Sequence, residues 1–554
     1  MIRGGGVRRN RVLLAVAAAG VIAVIAGSLL VSSASRTPTT SLRAPTFVDE
    51  TADSGLAHVY DGGSTFYTGG GVAAFDCDDD GKPELYLAGG SNPAALYRND
   101  SPIGGELTFE RLPSRATDLA GVTGAYPLDV DGDGHTDLAL LRVGEDVLLR
   151  GLGGCAFERA NETWGFDGGN EWTTAFSATW EGAMARPTLA LGHYLALEPD
   201  GSPSSDCAAN ELIRPTADGA TWAAPLVLEP GYCTLSMLFS DWDRSGRRDL
   251  RVSNDRQYYI DGEEQLWRIE PGQPARAYTD ADGWVRTQVW GMGIASFDLT
   301  ADGYPEVYLT SQGDNKLQTL TAGHSKPQYR DIALRRGVNA AQPYAGGDAL
   351  PSTAWHPEFQ DVNNDGFIDL FVSKGNVNVM PDYAARDPSN LLLGQPDGTF
   401  REAATDAGIV SYARARGAAV VDLNLDGRLD LVEVNLGEEA MVWRNTGSAG
   451  EGAGNSHWLA LRLTQTGSNR DAVGAWIEVR VGDTVLRREL TVGGGHISGQ
   501  LGWLHFGLGP AGRAEVRVQW PDGEMGPWQS LDADRFAIID RAAGPTTWLP
   551  GTAR

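Results

Sequence analysis

The sequence predicts an all-β fold, a seven-bladed β-propeller plus a small C-terminal β domain, on three observations. One short acidic motif recurs along the chain, a second apolar signature follows it each time, and an aromatic-led strand runs one position out of step with both. Composition agrees: 554 residues carry 71 glycines and 16 tryptophans with few long helix-like stretches, which favours short strands joined by tight turns.

The acidic motif first occurs as FDCDDDGKPELYLAGG from Phe75. It returns as DVDGDGHTDLALL at Asp129, DWDRSGRRDLRVS at Asp241, DLTADGYPEVYLT at Asp298, DVNNDGFIDLFVS at Asp361 and DLNLDGRLDLVEV at Asp422. The interval from Asp129 to Asp241 is about twice the usual spacing. Inside it, FSATWEGAMARPTLALGHY keeps the flanking strands but loses the acids, so a seventh, degenerate copy is expected there, with Ser177, Thr179 and Glu181 out of register and no metal.

The second signature counts independently: ALYRND, VLLRGL, ELIRPT, QLWRIE, KLQTLT, NLLLGQ and MVWRNT. The third element opens on Phe47, Phe109, Phe157, Trp222, Tyr278, Tyr329 and Phe400. Its first copy precedes the first acidic loop and none follows MVWRNT, so the N-terminal strand is expected to complete the last repeat and close a ring. Units of roughly 50–60 residues with several short strands fit the four-stranded blades of a propeller, whose closure leaves no long unpaired edge. Gly-rich stretches before the loops, such as YTGGGVAAF and ARARGAAVV, suit the crowded strand nearest the axis.

Each acidic loop places oxygen side chains at its first, third, fifth and ninth positions and glycine at the sixth. The first offers Asp76, Asp78, Asp80 and Glu84, with the backbone carbonyl of Lys82 at the seventh position. The second offers Asp129, Asp131, Asp133 and Asp137 with the carbonyl of His135; the next, Asp241, Asp243, Ser245 and Asp249 with that of Arg247. Then come Asp298, Thr300, Asp302 and Glu306 with Tyr304; Asp361, Asn363, Asp365 and Asp369 with Phe367; and Asp422, Asn424, Asp426 and Asp430 with Arg428. Alternate residues of a tight loop point at one centre, and hard oxygen ligands without cysteine or histidine select Ca²⁺. An EF-hand is excluded, because its twelve-residue loop lies between helices and ends on glutamate. Ser245 and Thr300 replace carboxylates, so weaker binding is expected in those two loops.

The formal charge of -27 repels nucleic acid and anionic lipid. Arg3, Arg8, Arg9 and Arg11 precede the apolar run Val12–Val31, which predicts an uncleaved signal anchor or a cleavable signal peptide over 1–34, the length favouring the anchor. A linker follows at 35–45, and everything beyond it is expected outside the cytoplasm, membrane-anchored or secreted. Four cysteines, Cys77, Cys155, Cys207 and Cys233, suit an oxidising compartment; of three pairings, Cys207 with Cys233 is favoured because they flank one irregular insertion. The ring is assigned to 46–447, a Gly-rich linker to 448–456, a separate β domain to 457–541 and a tail to 542–554.

The DxDxDGxxD/E loops resemble the FG-GAP/VCBS repeat proteins, the calcium-loop propellers typified by integrin α-subunit heads, and among them the cartilage acidic protein group. The stretches SHWLALRL, GSNRDAVGAWIEV, RREL, GGGHISGQ, LHFGLG and VQWPDG resemble an ASPIC/UnbV domain. The resemblance implies an extracellular, non-catalytic calcium-binding propeller used in adhesion or ligand binding, with an unknown protein or glycan as partner; a carbohydrate-active enzyme or sugar-binding accessory protein is the alternative. No integrin-type partner domain accompanies the ring.

No HExxH, GxSxG or P-loop occurs, and no cofactor beyond Ca²⁺ is expected. Gly507, Gly509 and Gly512 spell GxGxxG between two strands, where a dinucleotide would need a following helix. His496, held by glycines, reads as a structural residue rather than a catalytic one. Trp164, Trp172, Trp180 and Trp290 read as blade core rather than sugar platforms.

Overall fold

A computed structural model describes Met1, residues 43–448 and residues 456–551. The anchor or signal segment and most of the Gly-rich linker lie outside these. Among the described residues no helix is long and apolar enough to cross a membrane.

The chain is all-β, and its strands pair in antiparallel meanders. Val72–Phe75, Glu84–Leu87, Ala95–Asn99 and Phe109–Arg111 form the first. Val122–Leu128, Asp137–Gly144, Val147–Gly151 and Phe157–Arg159 form the next, followed by Glu171–Thr179, Thr188–His193, Asn210–Ile213 and Leu226–Leu228. Further meanders begin at Thr234–Ser240, Gly291–Phe297 and Ala354–Gln360, and the last joins Ala415–Val421, Asp430–Asn435 and Met441–Asn445 to the N-terminal strand Phe47–Asp49. Phe47 pairs with Asn445 and Asp49 with Trp443, so the two ends of the array share one sheet. That is the propeller closure expected from the offset of the aromatic element.

All seven copies of the second signature are strands, but the aromatic rule fails twice: Tyr278 directly follows its strand, Arg276–Ala277, instead of opening it, and Trp222 is the second case. The outer strand of the degenerate unit is Leu226–Leu228, and Trp222 lies before it, buried against Trp164 and Phe166. Bulk rather than strand position recruited that ring into the core.

Residues 457–548 form two four-stranded sheets. One orders Leu504–Gly509, His457–Thr464, Arg535–Asp540 and Gly544–Trp548; the other Thr484–Glu489, Trp476–Val481, Arg513–Gln519 and Gln529–Asp532. Leu461, Ile477, Phe506 and Val516 fill the space between them. Gly544–Trp548 lies beyond the 541 limit expected from the sequence. Its weak pattern, GPTTW, is stabilised by pairing with Arg535–Asp540 and by burial of Trp548 against Trp503 and Phe536.

The expected separateness of this domain is also corrected. Residues 490–503 leave it and run among the inner strands of the ring. Val492–Gly493 pairs with Ser177 and Ala178 on one side, and Gly493 with Leu238 on the other. Gly495 bridges Ile294, Ser498 bridges Ala125, and Gly499–Leu501 runs parallel to Val72–Phe75. The Ser498 hydroxyl accepts the Val72 N–H at 3.1 Å, and Tyr126 donates its hydroxyl to the Gly494 carbonyl at 3.2 Å. GGGHISG serves here because bare backbone offers donors and acceptors to several strands with few side chains to accommodate. The inner-strand glycines answer it: a Cβ on Gly71 would lie 1.8 Å from the Ile497 carbonyl oxygen.

Both disulfides are formed, Cys207–Cys233 as favoured and Cys77–Cys155, which joins the first acidic loop to the second meander across 78 residues. Replacing both Cys77 and Cys155 by serine should cost about 2–5 kcal/mol. Melting temperatures of the double variant and the parent check this; equal values would remove the cross-link from the stability account.

Candidate metal centres

Each acidic loop lies between the first two strands of its meander, and one hydrogen-bond scheme recurs in all six. The sixth-position glycine donates its N–H to Oδ2 of the first aspartate: Gly81 to Asp76 at 3.1 Å, Gly134 to Asp129 at 3.0 Å and Gly246 to Asp241 at 2.9 Å. Gly303 donates to Asp298 at 3.0 Å, and Gly366 to Asp361 and Gly427 to Asp422 each at 2.8 Å. These glycines have φ between 81° and 95°, the left-handed turn expected of them.

The fifth-position side chain closes the turn by accepting the seventh N–H, as Asp80 does from Lys82 at 2.8 Å, Asp365 from Phe367 at 2.8 Å and Asp426 from Arg428 at 3.0 Å. Asp133 and Asp302 do the same for His135 and Tyr304, each at 2.9 Å, and Ser245 more weakly for Arg247 at 3.4 Å. Third-position oxygens of Asp78, Asp131, Asp243 and Asn363 accept the fifth N–H at 3.1–3.2 Å.

The ninth carboxylate ties the loop to its sheet. Asp137 accepts the Val130 and Gly151 N–H groups, both at 2.7 Å; Asp369 accepts from Val362 and Gly394, and Asp430 from Leu423 and Asn445. Glu84 and Glu306 accept the N–H of Cys77 and Leu299. Asp249 accepts the Ile269 N–H at 3.0 Å but differs in its other partners: Trp242 Nε1 and the Tyr278 hydroxyl donate to it, and Arg247 pairs with it at 2.9 Å.

One residue class went unread in the sequence. The fourth position is left-handed in every acidic loop: Asp79 (65°), Gly132 (74°), Arg244 (56°), Ala301 (55°), Asn364 (59°) and Leu425 (56°). Such residues are uncommon there, and the neighbouring hydrogen bonds hold them. Glycine and asparagine at two of the copies were the available signal.

Donor chemistry fits a hard cation. Carboxylate oxygens of Asp76, Asp78 and Glu84 lie within 4.8 Å of one another, as do those of Asp129, Asp131 and Asp137. Oδ1 of Asp76, Asp241 and Asp298 is buried without a hydrogen-bond donor. Burial, then the neighbouring aspartates, pushes Asp76 up to about 7. Burial likewise raises Asp129 to about 7 and Asp137 and Asp422 to about 8, nearby acids adding to each. In the loop of Asp361, burial and the neighbouring Asp365 hold Asp361 well above the usual carboxylate range, and burial with both of them does the same to Asp369. A site whose carboxylates resist ionisation together is one that a divalent cation stabilises.

Basic side chains partly fill that role. Arg247 lies 3.2 Å from Asp243 as well as against Asp249, Arg150 pairs with Asp131 and Asp133, Lys82 with Asp80 and Arg428 with Asp426. The degenerate copy is organised otherwise: Ser177 donates to the Val492 carbonyl, Thr179 is buried, and Glu181 pairs with Arg214 at 2.6 Å.

The C-terminal sandwich sits on these loops. Arg462 lies 3.5 Å from Asp76, Arg487 donates to Asp298 at 3.1 Å, and Glu489 accepts the Asp241 N–H at 3.0 Å. Trp503 Nε1 donates to the Gly81 carbonyl, and His505 Nε2 contacts Asn364 Oδ1 at 2.6 Å. Arg244 stacks 4.2 Å over Trp476, and the Ser468 hydroxyl donates to Met184 in the degenerate unit. Gly507 allows this approach, because a Cβ there would lie 1.9 Å from Asp361 Oδ2; the GxGxxG is a packing feature between strands. These docking residues were missed in the sequence, although RREL and GGGHISGQ mark their neighbourhood.

The other singled-out residues fall into place. His496 is fully buried against Trp355 with its backbone N–H on His356 Nδ1, and burial lowers it to about 3, so it stays neutral. Trp164, Trp172 and Trp180 are core. Trp290 is half-buried and packs, inclined, against the exposed ring of Tyr258.

Residues 465–546 match the ASPIC and UnbV family model, and residues 76–140 and 361–433 match an FG-GAP-like repeat. Human cartilage acidic protein 1 is 26% identical over 237 residues, 42% of this chain and 33% of that protein. The chain thus matches about a third of its curated relatives' length. Among solved structures, a lectin of Agrocybe aegerita that recognises non-reducing terminal N-acetylglucosamine aligns at TM-score 0.39 and 17% identity over 65% of this chain and 86% of that one. The rhamnogalacturonan lyase YesW aligns at TM-score 0.29 and 12% identity over 90% and 84%. At those scores neither likeness bears on function.

Proposed function

Because the chain carries FG-GAP-like repeats and an ASPIC and UnbV domain, we propose that it is a calcium-binding propeller that works outside the cytoplasm as a non-catalytic adhesion or ligand-binding module, either secreted or held by its N-terminal segment. The observation that carries this reading is the first-position carboxylate of the loops. One oxygen is fixed by the glycine N–H in all six, and in Asp76, Asp241 and Asp298 the other is buried without a donor. Side-chain oxygens at positions one, three, five and nine and the seventh carbonyl would hold Ca²⁺, with the ninth carboxylate also bracing the loop. A bound divalent ion supplies the positive charge that clustered buried acids require. The disulfides and the human relative's name support an extracellular setting.

The loops are not equivalent on this reading. Asp361→Ala removes a carboxylate from a set in which burial and like charge dominate, whereas Asp243→Ala removes one that Arg247 already neutralises. Calorimetric titration of Ca²⁺ into chelator-stripped protein should show one tight site fewer for Asp361→Ala and a nearly unchanged isotherm for Asp243→Ala. Identical losses in both, or no calcium binding by the parent, would contradict it.

A further inference from the structure

The end of the ring opposite the acidic loops carries a cavity of ≈ 680 Å³ between the meander of Gly291–Phe297 and that of Ala354–Gln360. That volume is typical of ligand pockets, about 300–1,000 Å³. Tyr258, half exposed, packs against Trp290 with ring centroids 4.4 Å apart and planes inclined at 43°, and both line the cavity. Trp290 Nε1 is buried without an acceptor. Across the cavity Asn390, 3% exposed, directs its amide nitrogen to Glu402 and leaves its Oδ1 buried without a donor. Gln312 and Asn339 add further neutral amides to the wall. Of the charged side chains, Lys316 pairs with Asp331 at 3.4 Å and Glu402 accepts the Ala404 N–H at 2.8 Å, while Asp314 lines the cavity as an exposed carboxylate.

From this we infer that the cavity is a binding site for a neutral saccharide. A sugar ring offers a flat C–H face to aromatic side chains and a rim of hydroxyls that both donate and accept. The cavity supplies the complement: two tilted aromatic rings, an unused donor on Trp290, an unused acceptor on Asn390 and further amides in its lining. An anionic ligand would meet the carboxylates of Asp314 and Glu402, and a purely apolar one would leave the amides unpaired. The inference rests on reading the ring as a binding module, but the site lies at the end of the ring away from the proposed calcium loops.

The test is a printed array of neutral and anionic oligosaccharides probed with the full chain in calcium, with affinities then measured for the best neutral binder. Tyr258→Ala removes one of the two rings and Asn390→Leu removes the Oδ1 acceptor at similar volume; each should weaken binding about tenfold or more. Trp290 fluorescence should change on binding in the parent. Absence of neutral-glycan binding by the folded chain, binding confined to anionic glycans, or binding indifferent to both substitutions would overturn the inference. Melting with and without calcium, run on the same preparations, separates the two readings: a calcium-independent chain that still binds sugar sinks the loop assignment alone, and the reverse sinks the cavity alone.

Discussion

Removing calcium from the chain should lower its melting temperature by ~10 °C or more, because each occupied loop contributes about 2.7 kcal/mol at a hundredfold excess over its Kd and several loops act together. Added Ca²⁺ should restore it and Mg²⁺ should do so poorly, since the smaller ion demands stricter geometry and keeps its waters. The pH dependence provides a second signature. In the stripped chain, burial and like charge raise Asp76 and Asp129 to about 7, and Asp137 and Asp422 to about 8, above the roughly 3.9 of an unfolded aspartate. A raised folded value gives stability that is full below about pH 4 and is lost as pH climbs through 7–8. Stripped protein should therefore melt higher at pH 5 than at pH 8, while calcium-loaded protein should melt lower at pH 5, where protons compete with the ion. Melting curves at both pH values, with chelator and with calcium, check the crossing; parallel pH profiles would count against cation sites.

The second large effect concerns the axial segment. Gly71→Val should destabilise the protein by about 3 kcal/mol or more, because its Cβ would lie 1.8 Å from the Ile497 carbonyl and 2.9 Å from the Gly124 Cα, and backbone cannot yield as a side-chain tip can. Gly63→Val meets nothing within 4 Å and is the matched control. Melting temperature and thermolysin cleavage within 490–503 are the readouts. Equal behaviour of the two variants would show that the segment is not seated against the inner strands.

The ring was legible because its repeats are local: each loop's chemistry, its glycine and the following strand are written within a few residues, and the offset of Phe47 from MVWRNT announces closure. What escaped is non-local. Asp79, Ala301 and Leu425 adopt left-handed backbone because the surrounding loop hydrogen bonds impose it, against their own preference. Arg462, Arg487 and Glu489 reach the loops from more than a hundred residues away, and nothing in their local pattern identifies a partner. The Gly-rich inner strands were read correctly as crowded, yet part of the crowding comes from 490–503, a segment of the other domain. Trp290 read as core like its three companions; its exposure depends on Tyr258, a neighbour set by folding.

Docking on the loops gives calcium a consequence beyond local stability. The face that the sandwich covers is made of the loops themselves, so ion-free loops would present repelling carboxylates to Glu489 and lose their fixed shape beneath Trp503 and His505. Amide hydrogen exchange of residues 490–503, in calcium and in chelator, measures that coupling directly. The expected result is strong protection in calcium that falls in chelator together with that of the six loops; protection of 490–503 unchanged after verified metal removal would contradict it.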